Sequence, residues 1–476
     1  MKLTRNTPLS AWGFLSPVTA LSLSIAMAAL SILFPRDHYE GVVGEQDFVY
    51  HDLRTASYVG MCALAFLIGF AFHKYLFVPV LKRYRGGEIT SNKEPLYLLP
   101  TIVISVAFLG VNVYTLIVLY TSIPLASIVT SLSGDVSSLT LRDTVGEVLS
   151  DQNLGVALTA SVAFVPWLMF VVLRCPPKVR KTPLGILAVT LMLVLVLSIF
   201  VNGLLQQGRG SLLYPVFAAF VVWCGVRIAQ GRLSVKRLVL VGFTVFAFAL
   251  AYFALLAMTR SAESTGVVSL VGKQLIEYYV GSYNRFAAML NGTFMLPSEG
   301  GYYWTQWIWE MPLVSNLLDL QRPAIHLFGA VGPSYWEDVS PYVYSAGLQE
   351  NLTSLTIFSN TYTDFGWFGF LPFIIYGFVS RLTWEAFRTG NVWAIIIYPY
   401  ILWSIVEWRG YIEITRASNI DTLIVLAAVI VVGRFMAKKA YLPPTVRLRR
   451  PGVGGGWTGG RVRNVERGSR EGVRRG

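Results

Sequence analysis

The chain has 476 residues, 54% of them hydrophobic and only 14% charged, with a mean hydropathy of +0.56. An ordinary soluble domain carries about 25% charged residues, so this composition excludes a soluble enzyme of ordinary type and a disordered chain, and points to lipid as the solvent for most of the protein. The chain is also basic, with 39 Lys and Arg against 26 Asp and Glu, net +13, and that charge needs a location, because a basic balance serves nucleic-acid binding in some proteins and membrane orientation in others.

A transmembrane helix needs about 20 mostly apolar residues. In chain order such runs fall at 14–34, 55–73, 96–120, 154–173, 184–203, 211–229, 238–258, 366–384, 392–406 and 419–436. The run 392–406 is short and rich in aromatic residues. The first run is too long for a signal peptide and no small-residue cleavage site follows it, so no cleavable leader is expected. Ten spans place both termini on one side and sort the connecting segments into two sets. One set is the N-terminus, 74–95, 174–183, 230–237, 385–391 and the C-terminal tail. With the adjoining span ends it holds 29 of the 39 basic and 5 of the 26 acidic residues, about +24, while the other set holds ten and 21, about −11. The positive-inside rule makes the first set, and both termini, cytoplasmic.

The predicted fold is therefore an all-α polytopic membrane protein of about ten transmembrane helices. It divides into a seven-span bundle over 1–258, a large, partly helical outer loop over 259–365, a three-span segment over 366–436 and a basic Gly/Arg-rich tail over 437–476. The tail has almost nothing to bury, so it is expected to be disordered and to tether the cytoplasmic face to anionic lipids, each basic residue near the surface adding about 1 kcal/mol. On this reading the positive charge needs no nucleic-acid partner. The outer loop, 107 residues long by the span boundaries, is rich in Tyr, Trp and apolar residues and should fold. Cys62, Cys175 and Cys224 lie in or beside apolar stretches without zinc or redox spacing. There is no internal repeat, and none of the paired, broken spans of an inverted-repeat transporter.

The cytoplasmic loops contain no phosphate-loop lysine motif and no GxGxxG. There is also no HExxH and no His/Cys cluster, so neither a metal site nor a cofactor is expected. Chemistry then belongs to the acidic outer face. Arginine is disfavoured there by the charge rule, so each one needs a reason. Pairing with outer acids is the plain explanation for Arg36, Arg54 and Arg142. Arg209 lies in a minimal loop, Gln206-Gln207-Gly208-Arg209-Gly210-Ser211, and Arg260 ends the seventh span. Both positions are at the membrane surface, where a lipid-linked diphosphate lies, and guanidinium groups bind phosphate oxygens as a fork.

In the large loop, residues 267–290 have an amphipathic helical pattern, with Asn284 and Arg285 near the end, and are expected to lie along the interface. Then comes Tyr302-Tyr303-Trp304-Thr305-Gln306-Trp307-Ile308-Trp309. Aromatic residues gather at membrane interfaces for their amphipathic rings alone; the sharper reading makes Tyr303, Trp304 and Trp307 a stacking floor for sugar rings. His326 is the loop's one histidine and a candidate general base. Asp364 stands at the mouth of the eighth span, where a carboxylate is costly unless paired, either with an outer arginine or with an acceptor hydroxyl.

Two segments carry a resemblance. Gln207-Gly208-Arg209-Gly210-Ser211-Leu212-Leu213 resembles the Ser-Arg-Gly segment of bacterial O-antigen and oligosaccharide repeat-unit polymerases, of the O-antigen ligase superfamily. Thr361–Gly369, with its Asp-Phe-Gly-x-x-Gly core opening a span after a large loop, resembles a later segment of the same family. The resemblance implies a GT-C-like, metal-independent glycosyltransferase in the bacterial cytoplasmic membrane. Its donor and acceptor are glycan units carried on undecaprenyl diphosphate, and a chain-length regulator protein is a further partner. It implies that Arg209 holds the diphosphate leaving group, with Arg260, Arg285 and Arg409 matching by location, and that Asp364 is a motif residue. The base stays open among Asp364, His326, Glu299, Glu337 and Asp338.

Three other functions compete. A GT-C transferase using a polyprenyl-phosphate sugar would use acids in the first outer loop, where Glu45-Gln46-Asp47 stands. An O-antigen ligase would lean on His326. A glycan flippase or other transporter would place polar groups at mid-span, whereas these spans are nearly free of charge at their centres.

Overall fold

The computed structural model describes residues 13–76, 98–124, 126, 144–145, 148, 154–175, 177–205, 210–230, 233–260, 267–296, 300–310, 318–329, 343–349, 355–388, 390–410, 413–415, 419–420, 423–428 and 430–432. Among these residues there is no β-strand, and the chain is built of helices. In order they are α1 (Pro17–Ile32), α2 (Arg36–Val43), α3 (Leu53–Leu76), α4 (Leu98–Ser122), α5 (Leu154–Arg174), α6 (Pro177–Arg180), α7 (Pro183–Leu205) and α8 (Gly210–Ala229). There follow α9 (Val235–Arg260), α10 (Val267–Leu290), α11 (Tyr302–Trp309), α12 (Gln321–Phe328), α13 (Ile357–Phe365), a 3₁₀ turn at Gly366–Gly369, α14 (Phe370–Arg388), α15 (Val392–Val406) and a 3₁₀ turn at Glu413–Thr415.

Each of the ten apolar runs meets a helix, but length divides them. Five stretches are long and apolar enough to cross a membrane: Leu53–Phe72, Leu98–Ser122, Pro183–Leu205, Val235–Leu255 and Ile357–Arg388. A sixth is counted if α1 and α2, which bend by 89° where they meet, form one span. The others, Ala160–Arg174, Leu213–Ile228, Val392–Val406 and Leu423–Val432, are apolar but have only 10–17 residues. Five or six spans thus stand on the described residues where the sequence predicts ten. The tail 437–476 lies outside them.

The surface of these helices explains their composition. On α9, Leu240 and Phe243 are 65% and 68% exposed, and Val239 and Phe246 are turned out with them. In water each such side chain would forgo about 1.5–3 kcal/mol of burial, whereas in hydrocarbon this is the favoured surface. Lipid offers no hydrophobic drive between helices, so polar side chains and close contacts hold the interior. Asn202 of α7 donates to Asn112 Oδ1 of α4 at 2.9 Å, and Asn112 donates to Ser161 Oγ of α5 at 3.1 Å. Trp167 of α5 donates to Thr101 of α4 at 2.9 Å, and Tyr400 of α15 donates to the Ala163 carbonyl at 3.1 Å.

The large loop does not stand apart from the bundle. Helix α10 packs on α1, α2 and α3, and its apolar residues join the same core as those of α3, α14 and α15. Its placement corrects the expected surface helix. The first half fits that expectation, with Val268 exposed, but every residue from Val280 to Leu290 is buried, including Ser282, Asn284 and Arg285. The residues that look like a solvent face in the sequence are an internal polar face with partners far along the chain.

Candidate functional site

The described candidates Arg285, Arg409, Asp364, Tyr303 and Trp304 collect at the end of the bundle where α10, α11 and α13 meet the segments 44–52, 343–349, 407–410 and 413–415. At its centre is an ion pair with no exposure on either side. Arg285 Nη1 and Nη2 reach Glu45 Oε1 and Oε2, each at 3.2 Å, in the fork geometry of a guanidinium on a carboxylate. Arg285 also donates to the carbonyls of Gly281 (3.1 Å) and Gln349 (2.9 Å). Glu45 accepts from the Gln349 N–H at 2.9 Å and from the Tyr39 hydroxyl. Beside it, the Asn284 amide donates to the Gln46 carbonyl (2.8 Å) and accepts from the Phe48 N–H (2.5 Å). Sequence reasoning noticed Glu45 only as half of an acidic pair, and missed Tyr39, Asn284 and Gln349 as its company. With Glu45 filling its fork, Arg285 is a joint between three chain segments and presents no free guanidinium face to a diphosphate.

Glu45 and Asp47 do not act as a pair. Asp47 turns back on its own loop, its Oδ1 accepting from the N–H groups of Val49 (2.8 Å) and Tyr50 (3.0 Å). Burial raises its pKa above the ordinary carboxylate value, against those two donors, which lower it. Among the described residues no three His, Cys, Asp or Glu side chains are grouped to hold a metal ion.

Arg409 follows α15. Its Nη2 lies 2.9 Å and 3.1 Å from the two oxygens of Glu407, and its guanidinium lies over the rings of Tyr278 (4.6 Å) and Tyr279 (4.5 Å) of α10. Stacked cations of this kind gain about 0.5–2 kcal/mol. The side chain is 12% exposed, against none for Arg285, so of the two it is the one with a path to solvent. Arg36 forms the expected surface pair, with Glu40 at 2.8 Å. Arg54 departs from expectation, donating instead to the Leu290 carbonyl and the Asn291 side chain. Arg260 is the last residue of α9, its side chain outside the described set; Arg142, Arg209, Glu299, Glu337 and Asp338 also lie outside the described residues.

Asp364 has a partner that sequence reasoning did not find. It is buried at the end of α13, and its oxygens accept from the backbone N–H groups of Tyr303 (3.2 Å) and Trp304 (3.0 Å). Those are orphan donors of the first turn of α11. The residue before that helix, Gly301, has φ +99° and no side chain to cap it, so a carboxylate 61 positions away does so, favoured also by the helix dipole. Trp304 Nε1 donates to Thr361 (3.0 Å) and Thr415 donates to the Tyr303 carbonyl (3.0 Å), fixing α11 on both sides. Hence Asp364→Ala is expected to lower stability by about 0.5–2 kcal/mol, the usual worth of a cap. Asp364→Asn, which keeps an acceptor, should lower it by less than half as much; thermal unfolding in detergent measures both.

This placement divides the aromatic floor. Tyr303 is buried, and Trp304 is bonded to Thr361 and packed edge-on against Phe373 at 5.9 Å. Both build the protein interior. Trp307 is 37% exposed and alone of the three offers a ring face outward. His326 is exposed on α12, and no hydrogen bond or ion pair joins it to Asp364, Arg285 or Arg409.

Comparison of the chain with protein-family models, curated proteins and solved structures gives no match. What the fold defines is a class: an all-helical chain, among its described residues, with five or six helices suited to cross a membrane and a folded loop region packed on one end of them.

Proposed function

We propose that the protein is an integral-membrane glycosyltransferase that joins oligosaccharide units carried on undecaprenyl diphosphate into a surface polysaccharide, on the outer face of the bacterial cytoplasmic membrane. The full reading includes ten spans, a GT-C-like arrangement and cytoplasmic termini. What supports it is the position of the Thr361–Gly369 segment, which leads directly into α14 and, through Asp364, holds the first turn of α11; this reading sets the motif where the loop meets the membrane and a lipid-linked donor presents its first sugar.

The chemistry follows from the leaving group. A hydroxyl of the acceptor unit attacks the anomeric carbon of the donor, the new glycosidic bond forms, and the bond to the lipid diphosphate breaks with its electron pair on the diphosphate oxygen. Fixed cations aimed at that developing charge stabilise the transition state by several kcal/mol. Arg209 is assigned this role, with Arg260 and Arg409 as further candidates for it. The acceptor proton goes to a base, a role this reading gives to Asp364, whose oxygens face the backbone N–H groups at the start of α11. The burial of Glu45 against Arg285 speaks for this reading over a polyprenyl-phosphate transferase working through the 45–47 acids. That no hydrogen bond or ion pair joins His326 to Asp364, Arg285 or Arg409 speaks for it over a ligase.

Arg209→Ala is expected to abolish polymer while single lipid-linked units accumulate and the protein level stays normal, as read by gel separation of glycan chain lengths and by immunoblot. Long polymer persisting in that strain overturns the assignment. In the same assay Asp364→Asn keeps one of the two acceptor oxygens of the cap and removes the base, so it should lower polymer synthesis about 10²–10⁴-fold, far more than it lowers the protein level.

A further inference from the structure

Three of the described helices carry a buried proline in their interior: Pro166 in α5, Pro215 in α8 and Pro399 in α15. Proline has no N–H to give to the carbonyl four residues earlier, and its ring crowds that turn, so the helix bends or loosens there. The three prolines stand at one level. Tyr214 and Tyr400, next to Pro215 and Pro399, have ring centroids 5.1 Å apart. The Tyr400 hydroxyl donates at 3.1 Å to the carbonyl of Ala163, three residues before Pro166. Ala163, Tyr214, Ala218 and Tyr400 form a core cluster of their own.

Prolines in membrane helices are commonly static kinks braced by their neighbours, and the Tyr400 bond braces α5 in that way. The rest of this level is packed differently. Rings meet rings: Trp403 lies on Tyr214 at 5.9 Å and on Phe217 at 5.3 Å. Such contacts are not directional and survive a tilt. By contrast, α3 and α14 are locked by glycines that bring the two backbones together, and neither has a proline beyond its first turn. Helices α8 and α15 run antiparallel, since Tyr214 meets Trp403 while Gly225 lies against Ile395 and Phe387. The start of α8 at Gly210 and the end of α15 at Val406 are therefore at the same end of the bundle. In the sequence Arg209 precedes the one and Arg409 follows the other.

We propose that Pro215 and Pro399 form a paired hinge, braced by α5 at Pro166, about which the ends of α8 and α15 swing against the fixed α3–α14 pair. The use of the swing rests on the proposed transferase reading. The moving ends lead to Arg209 and to Arg409, so opening admits a bulky lipid-linked unit and closing brings cations onto its diphosphate. The swing itself does not depend on that reading.

The experiment measures distances between paired spin labels by pulsed electron spin resonance on the full-length protein in lipid nanodiscs, where the buried Cys62, Cys175 and Cys224 take no label. Leu53→Cys, exposed on α3, is paired in turn with Ser211→Cys, with Val406→Cys and, as control, with Tyr120→Cys, exposed on α4. At about 1.5 Å per residue Ser211 lies about 6 Å beyond Pro215 and Val406 about 10 Å beyond Pro399, so a swing of about 20° displaces them by about 2 Å and about 4 Å. The two wild-type distributions should be broader than the control by those amounts. Pro215→Ala should narrow the Ser211 distribution to the control width, and Pro399→Ala the Val406 distribution. Alanine restores the N–H and is the better helix former, so both variants should keep the wild-type Tm or exceed it, and either one alone tests its half of the hinge if the other is lost. Wild-type distributions as narrow as the control, or broad ones that neither substitution narrows, overturn the proposal. No glycan enters the measurement, so polymer persisting in Arg209→Ala overturns the transferase reading and leaves the hinge standing.

Discussion

Arg285→Met is expected to destabilise the protein by about 3–5 kcal/mol, and Glu45→Leu by a similar amount, because each leaves a fully buried charge without its partner. The pair is worth far less than the cost of breaking it. Two charges out of water gain little over well-packed apolar residues of similar size, so the double variant Glu45→Leu/Arg285→Met should recover a large part of the loss. The recovery is not complete, since Tyr39, Gln349 and Asn284 also bond within this cluster. Thermal unfolding of the three variants in one detergent gives the coupling as a double-mutant cycle, expected to exceed the about 3 kcal/mol lost in either single variant. A contrary result is just as clear: if Arg285→Met keeps its Tm and loses only the proposed glycan transfer, Arg285 is a substrate ligand and Glu45 is not its partner in the working protein.

The ion pair also marks where sequence reasoning stops. Apolar runs are legible because a membrane helix satisfies its backbone within itself, so a local stretch of side chains suffices to announce it. The helices found at all ten runs follow from that. Span number is less legible, because the ends of the shorter helices are set by tertiary contacts: α15 stops at Val406, where Glu407 and Arg409 pair and turn the chain towards Ile357, whose N–H bonds the Trp408 carbonyl. Side-chain partners are least legible of all. Glu45 and Arg285 are 240 positions apart, and Asp364 and the α11 donors about 60. Burial, which turned the polar stripe of α10 inward, is a property of what packs on a helix and leaves no mark in its own periodicity. Asp364 could be suspected from its place at a span mouth, but its role as a cap depends on Gly301 taking a backbone conformation that offers no cap of its own.

The second large effect is expected where α3 and α14 cross, the most extensive helix pair among the described residues. A Cβ on Gly377 would lie 1.9 Å from the Phe66 carbonyl oxygen, and a Cβ on Gly69 would lie 1.8 Å from the Ile374 carbonyl oxygen. Each helix thus places a glycine against the other's backbone, three residues from the carbonyl it donates to the contact. Small residues permit this approach in membrane helices, and neither obstacle is a side chain that swings away. Gly69→Ala and Gly377→Ala should therefore each exceed the about 1–3 kcal/mol of ordinary overpacking, seen as a fall in Tm and in the monodisperse fraction on size exclusion. Gly60, on the same face-to-lipid helix α3, has nothing within 4 Å of an added Cβ, so Gly60→Ala should be neutral or gain up to about 1 kcal/mol from helix propensity. If Gly69→Ala proves as benign as Gly60→Ala, the crossing is not as close as described. The consequence reaches the candidate site through Tyr58 of α3, which donates to the Gly366 carbonyl at 3.1 Å directly after Asp364 and Phe365. Forcing the two helices apart shifts that turn, and with it the carboxylate that holds α11, so any Gly69 variant that still folds should also lose the proposed glycan transfer.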